Sequence, residues 1–327
     1  MLLDKISNFL KKDYESSVLA CGFLINPYNF VVVNTDPTRG VFGGGYATPG
    51  GIGWSNVMDY ITIATTGNAT DFGDLSTGRS SMGAVSSTTR GVFGGGITTG
   101  DVSVNTMEYI TVATTSNTTD FGDLSVSRYQ LAAVDNLIRG CFGGGYAGGE
   151  SNVIDYITIA TTGNATDFGD LSLSRRLIGS VSDHTTRGCF GGGYDGGGNV
   201  NTIDYITIAT TGNATDFGDL TVARHLPAGV SSTTRGVFCT GSTGVGSNVM
   251  DYITIATTGN ATDFGDALNA VTSTNASNGV SNYIRGVLGG ETGTTNVIQF
   301  ITIATTGNAT DFGDLTVARN VSEGLQA

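Results

Sequence analysis

One tetrapeptide, Asp-Phe-Gly-Asp, returns six times along this chain of 327 residues, with its aromatic ring at Phe72, Phe121, Phe168, Phe217, Phe264 and Phe312. The intervals are 49, 47, 49, 47 and 48 residues. Upstream of each copy runs a Tyr-Ile-Thr-Ile-Ala-Thr-Thr stretch, as at 60–66 and 205–211, with Val112 replacing the second isoleucine in the second unit and Phe300 the tyrosine in the last. Further upstream stands Arg-Gly followed by two hydrophobic residues and Gly-Gly, its arginine at Arg39, Arg90, Arg139, Arg187, Arg235 and Arg285. Units of about 48 residues thus occupy nearly all of the chain. A period of that length marks a repeat architecture in which each unit buries its apolar faces against its neighbours.

Within a unit the residues read as four short strands. In the fourth unit these fall at about 177–183, 188–193, 202–209 and 215–220. β-Branched and aromatic density argues strand over helix, and Gly212-Asn213 supplies a tight turn between the third and fourth strands. Glycine, at 51 residues, supplies the turns, while a hydrophobic fraction of 39% is too high for a disordered chain. Six four-stranded antiparallel sheets leave exposed faces until they pack side by side, and a ring of blades satisfies them. The expected fold is all-β, a six-bladed β-propeller.

The order arginine, hydrophobic strand, Gly-Gly, tyrosine in the next strand and aromatic in the fourth resembles the kelch repeat. That family builds β-propellers and serves enzymes, adaptors and structural proteins alike, so the resemblance implies fold more than function. Two departures stand out: the fourth-strand aromatic is Phe where kelch blades typically carry Trp, and the fifth unit reads Phe238-Cys239-Thr240-Gly241 at the glycine pair. The near-identical Thr-Gly-Asn-Ala-Thr-Asp-Phe-Gly-Asp repeats also look like those of virion proteins from phages of marine cyanobacteria. The expected domains are an N-terminal arm at 1–28 and a propeller at 29–327. Two segments align with the first strand of a blade, 29–38 and 320–327; the contiguous join at Pro37-Thr38-Arg39-Gly40 favours the N-terminal one.

Residues 1–16 differ from the rest. All three lysines, Lys5, Lys11 and Lys12, lie there, and Leu2, Leu3, Ile6, Phe9 and Leu10 recur at helical spacing. The segment reads as a short amphipathic helix that either packs on its own propeller or docks on a partner or a second copy. Acidic residues balance its lysines, which weighs against membrane binding. Val18-Leu19-Ala20-Cys21 imitates a lipoprotein cleavage box, but the polar 11–17 stretch stands where an apolar region is required. No run reaches the ~18 apolar residues of a membrane span.

Charge and motif exclude several activities. With 15 basic against 28 acidic residues, a formal charge of −13 is the wrong sign for binding nucleic acid. Asp-Phe-Gly is the magnesium signature of protein kinases, yet six copies without a lysine beyond residue 12 cannot be one. No Gly-rich run continues into the Gly-Lys-Ser/Thr of a phosphate loop. The Asp-Phe-Gly-Asp segments are read as structural turns, with calcium binding the alternative if further oxygens converged. The repeated Arg before Gly-Gly is read as a framework part, paired with an aspartate. Asn-X-Thr recurs in every unit and would be glycosylated only in a eukaryotic secretory pathway. Cys21, Cys141, Cys189 and Cys239 are expected as free thiols, the last three buried in strands. His184 and His225 fall in connections at opposite ends of the blades and cannot share a metal. With no Ser, His and Asp set or isolated carboxylate pair in view, the expectation is a non-enzymatic protein without cofactor.

Antiparallel order places the first-to-second and third-to-fourth turns on one, nearly uniform face. The opposite face varies from unit to unit. It carries Tyr46 and the only tryptophan, Trp54, in the first unit, Tyr194 in the fourth, and Tyr129, Arg176 and His225 in the joins between units. Recognition concentrates on loops held by a rigid scaffold, so partner contacts are expected at Tyr46, Trp54, Tyr129, Arg176, Tyr194 and His225; neutral drift is the bland alternative. The expectation is a virion structural protein, tail- or fibre-associated. It is attached by Leu2, Leu3, Ile6, Phe9 and Leu10 of the arm to other virion proteins within a larger assembly, and presents the disc to them or to a host-surface glycan or receptor. A lectin-like carbohydrate-binding propeller and an intracellular kelch-type adaptor are the alternatives.

Overall fold

A computed structural model describes residues 23–25, 32–34, 37–47, 53–271, 278–290, 295–319 and 323–326. Two compact units divide between residues 36 and 37. In the first, Phe23–Ile25 pairs antiparallel with Val32–Asn34. The expected helix and its five apolar residues lie outside the described residues.

The second unit is a propeller-like series of six four-stranded antiparallel sheets. Sheets two to six take their strands in chain order. In the fourth these are Gly179–Ser182, Arg187–Gly191, Thr202–Thr207 and Thr215–Asp219, close to the segments read from sequence. Sheet one is different. Its second to fourth strands are Arg39–Gly43, Val57–Thr62 and Thr70–Asp74, and its first strand is Glu323–Gln326 from the far end of the chain. The preference for 29–38 as that strand is therefore corrected, and the alignment explains why. At the second position of the strand the N-terminal candidate offers Val33, whereas 320–327 offers Gly324. A Cβ on Gly324 would lie 2.9 Å from Val280 Cγ1 and 3.0 Å from the Gly279 carbonyl oxygen, and the equivalent position elsewhere carries nothing larger than Ser180. At the next position the N-terminal candidate has Asn34 where the other has Leu325, which is buried among Val41, Met58 and Phe93.

The core lies between sheets. Each hydrophobic cluster draws on two consecutive sheets, and one joins Val280, Ile298 and Phe312 of the sixth to Phe42, Ile61 and Ile63 of the first. The glycine after each framework arginine permits this approach: a Cβ at Gly140 would meet Val85 at 2.4 Å, and one at Gly40 would meet Val280 at 2.5 Å.

Asp-Phe-Gly-Asp is a strand rather than a turn. Its Phe is buried, and the register slips opposite it at a bulge, as between Ile203 and Asp204. The bulged Gly218, at φ +141°, faces the Gly259–Asn260 backbone of the next sheet so closely that a Cβ would lie 2.6 Å from it. There the next sheet's third-to-fourth turn hooks on: Asp219 N–H donates to Asn260 Oδ1 at 3.1 Å, and Ala261 N–H donates to the Asp219 carbonyl at 2.8 Å. The side-chain hook recurs in every sheet, including Asp314 N–H to Asn68 Oδ1 at 3.1 Å between the sixth and first. The Asn of each Asn-X-Thr is thus a framework part, and the hook covers much of an otherwise open outer strand.

The expected pairing of the Arg before Gly-Gly with aspartate is also corrected. Those guanidinium groups stack on the third-strand aromatic, at 4.2 Å for Arg39 over Tyr60 and 4.3 Å for Arg285 over Phe300, and donate to carbonyls of the next sheet, as Arg187 Nη1 does to Ile255 at 2.9 Å. The carboxylates belong to a different arginine, at the end of the fourth-strand connection. Arg79–Glu108 (2.8 Å), Arg128–Asp155 (3.0 Å), Arg175–Asp204 (3.0 Å), Arg224–Asp251 (2.6 Å) and Arg319–Asp59 (2.6 Å) each cross one seam between sheets. All are buried. At the seam between the fifth and sixth sheets the acid is replaced by Gln299, whose Oε1 accepts the Leu268 N–H at 2.8 Å, and the arginine by Val271.

Candidate functional site

On the variable face the joins between the first five sheets pair with the following second-to-third loop, through Arg79–Ser80 with Ile97–Thr98 and bridges of Tyr129 with Tyr146, Arg176 with Tyr194 and His225 with Ser242. The pairing brings side chains from three consecutive sheets into one row. Tyr129 and Tyr146 rings lie 5.5 Å apart; the Arg176 guanidinium lies 4.9 Å from the Tyr146 ring and 5.3 Å from the Tyr194 ring; Tyr194 meets His225 edge-on at 6.4 Å. All five are half-buried. Glu150 holds Arg176 at 3.5 Å, and His225 Nδ1 shares a 2.7 Å hydrogen bond with Asn199 Oδ1, which fixes the ring. Burial, aided by the Arg176 charge, moves the His225 pKa below its ordinary value, so the imidazole is neutral at pH 7.

Four of the residues expected from sequence, Tyr129, Arg176, Tyr194 and His225, therefore stand in one array, with Tyr146, Glu150 and Asn199 added by the fold. Tyr46 and Trp54 form a separate pair in sheet one, ring centroids 5.2 Å apart and nearly perpendicular. Tyr146 was legible as the equivalent of Tyr46 and Tyr194 just after the glycine run; Glu150 and Asn199 carry no comparable signal.

The first strands of all six sheets line a central cavity of about 100 Å³. Near the variable face stands Glu323, whose carboxyl burial holds well above the usual range despite N–H donors from Gly324 and Ala84. Towards the uniform face the cavity is lined by a cluster that the sequence reading missed. His184 Nδ1 lies 2.9 Å from Asp135 Oδ1, and its Nε2 lies 3.3 Å from Ser231 Oγ. These groups come from the third, fourth and fifth sheets and are at most 5% exposed, 4% for Ser231. The signal was present: the turn from Ser182 to Arg187 is one residue longer than its equivalent from Ser231 to Arg235. His184 has φ 56°, as its equivalents Leu137 and Tyr283 in shorter turns have φ 68° and 67°, and it lines the cavity. Asp183 builds that turn, its Oδ1 accepting the N–H groups of Thr185, Thr186 and Arg187 at 2.6–2.9 Å. Burial raises the Asp183 pKa, but these bonds and that from the Thr186 hydroxyl outweigh it, leaving it below the ordinary value.

Cys141, Cys189 and Cys239 are buried free thiols; burial raises all three pKa values, to about 12 for Cys141 and Cys239. Cys21 lies outside the described residues. Among the described residues no group of three or more His, Cys, Asp or Glu side chains converges as a metal site. Neither the protein-family models nor the curated proteins compared with this chain give a match.

Proposed function

We propose that the six sheets are the blades of a closed six-bladed propeller that acts as a recognition module, binding a partner through its variable face. The carrying observation is the row Tyr129, Tyr146, Arg176, Tyr194 and His225: aromatic faces and one cation, set out in order on a frame that is otherwise repetitive. Closure is supported by the hydrophobic cluster shared by the sixth and first sheets and by the Asn68 hook onto Asp314. Half-buried aromatic rings beside an arginine, a carboxylate and an amide suit a glycan, whose sugar rings stack on aromatic faces while hydroxyls bond to the polar groups.

In the wider reading the module belongs to a virion, tail- or fibre-associated, and the glycan or receptor is on the host surface; the kelch-like and phage-like repeat patterns support that reading. The test is a glycan array, followed by binding of the intact protein to the cognate cell surface. Tyr194→Ala and Arg176→Ala should each weaken binding at least ~10-fold, as expected for removal of a central contact worth ~1.4 kcal/mol or more. The Tyr46–Trp54 pair serves as the control, since Trp54→Ala should change binding less. Undiminished binding by both ladder variants would remove the row as the contact surface.

A further inference from the structure

At the first turn of the fourth sheet a hydroxyl, an imidazole and a carboxylate from three sheets stand in series. The Asp135 carboxylate accepts from His184 Nδ1–H, with the Ser182 hydroxyl a second neighbour of Nδ1 at 3.3 Å, and Nε2 faces the Ser231 hydroxyl. Asp135 is itself held by the Ser86 and Leu137 N–H groups, at 3.0 and 3.3 Å. On the far side Gln326 Oε1 accepts the Ser281 N–H at 2.9 Å, which turns the amide so that Nε2 lies 3.5 Å from His184 Nε2. Gln326 Nε2 thus faces the same Nε2 lone pair as the Ser231 hydroxyl, and the second hydrogen of its amide is left to donate elsewhere. All six sheets contribute a group to this arrangement, and Ser231, His184, Asp135 and Gln326 line the central cavity.

We propose that Ser231 is an activated nucleophile that takes the acyl group of small esters entering the central cavity. His184 is the general base, Asp135 the positioning carboxylate and Gln326 Nε2 the donor to the developing oxyanion. Ser231 Oγ attacks the ester carbonyl carbon as its proton passes to His184 Nε2. The bond from carbon to the alkoxy oxygen then breaks, and the same proton leaves with the alcohol. Water adds to the acylated serine, giving its proton to His184; the carboxylic acid departs and Ser231 recovers its hydrogen. A cavity of about 100 Å³ restricts the acyl group to a few heavy atoms.

The test exposes the folded full chain to a small dialkyl fluorophosphonate and to p-nitrophenyl acetate. Intact mass and peptide mapping follow the adduct, and thermal melting checks that each variant is folded. The expected result is a single adduct on Ser231, absent from Ser231→Ala. His184→Gln should slow labelling by ~10²-fold or more, the usual contribution of a general base. The wild-type labelling rate should depend on pH and His184→Gln should lose that dependence; Asp135→Asn should slow labelling and distort the profile. No adduct on Ser231 of the folded wild type, or equal labelling rates for wild type and a folded His184→Gln protein, would overturn the proposal and leave the cluster as a polar seal between the sheets.

Discussion

The seam between the fifth and sixth sheets and the first turn of the fourth sheet both depart from the repeat, in opposite senses. At the seam an Arg and acid pair is exchanged for Val271 and Gln299, and the sheets meet as elsewhere. At the turn one extra residue is inserted with the frame intact, and His184 lines the central cavity. Burial explains the first. An aspartate left where Asp204 stands, fully buried, would be an uncompensated charge, so acid and arginine are tolerated together or lost together. Solvation explains the second, because a turn at the rim can lengthen without disturbing any seam.

The largest effect should come from breaking one pair. Arg175→Leu leaves Asp204 without its guanidinium and should cost ~3–5 kcal/mol in denaturant unfolding. Arg175→Val with Asp204→Gln, a copy of the neutral seam, should restore stability to within ~1 kcal/mol of wild type. A double variant as unstable as the single one would show that the two kinds of seam are not interchangeable.

A smaller effect is expected at the turn. Asp183→Asn weakens the hydrogen bonds that shape it and should cost ~1–2 kcal/mol at neutral pH. The sign with pH follows from the depressed pKa: the Asp183 contribution is fully present above the unfolded carboxylate value of ~4 and is lost as pH falls through the lower folded value. Unfolding curves of wild type and Asp183→Asn should therefore converge in acid, and a constant gap between them would contradict the assignment.

The smallest effect compares hooks. Asn213→Ala crosses an ion-paired seam and Asn308→Ala the neutral one; each removes one hydrogen bond onto the preceding sheet and should cost ~0.5–1.5 kcal/mol, equally. A markedly larger loss for Asn308→Ala would show that the neutral seam leans on its hook.

Repetition made the sheets legible: Phe72 and its equivalents mark fourth strands, and Arg39-Gly40 and its equivalents mark second strands. Pairing across seams was not legible. Every unit but the fifth offers more than one arginine, and only burial decides that Arg128 rather than Arg139 meets a carboxylate. The row on the variable face was half legible, since Tyr129, Arg176, Tyr194 and His225 stand out against the repeat, while their adjacency depends on bridges between joins and loops. The Ser231, His184 and Asp135 cluster was hidden for a simpler reason: its members occupy three repeats and converge only where the first strands meet.

The pairing of Glu323–Gln326 with Arg39–Gly43 has a consequence for synthesis. During translation the first sheet waits, one strand short, until the chain of the other five has been made. Its unsatisfied edge, on Arg39–Gly43, is therefore exposed to chaperones and to the same edge of other nascent copies for longer than any other edge, and closing it requires contact across almost the entire sequence, which is intrinsically slow. Premature termination anywhere before residue 323 would release a chain with that edge still open.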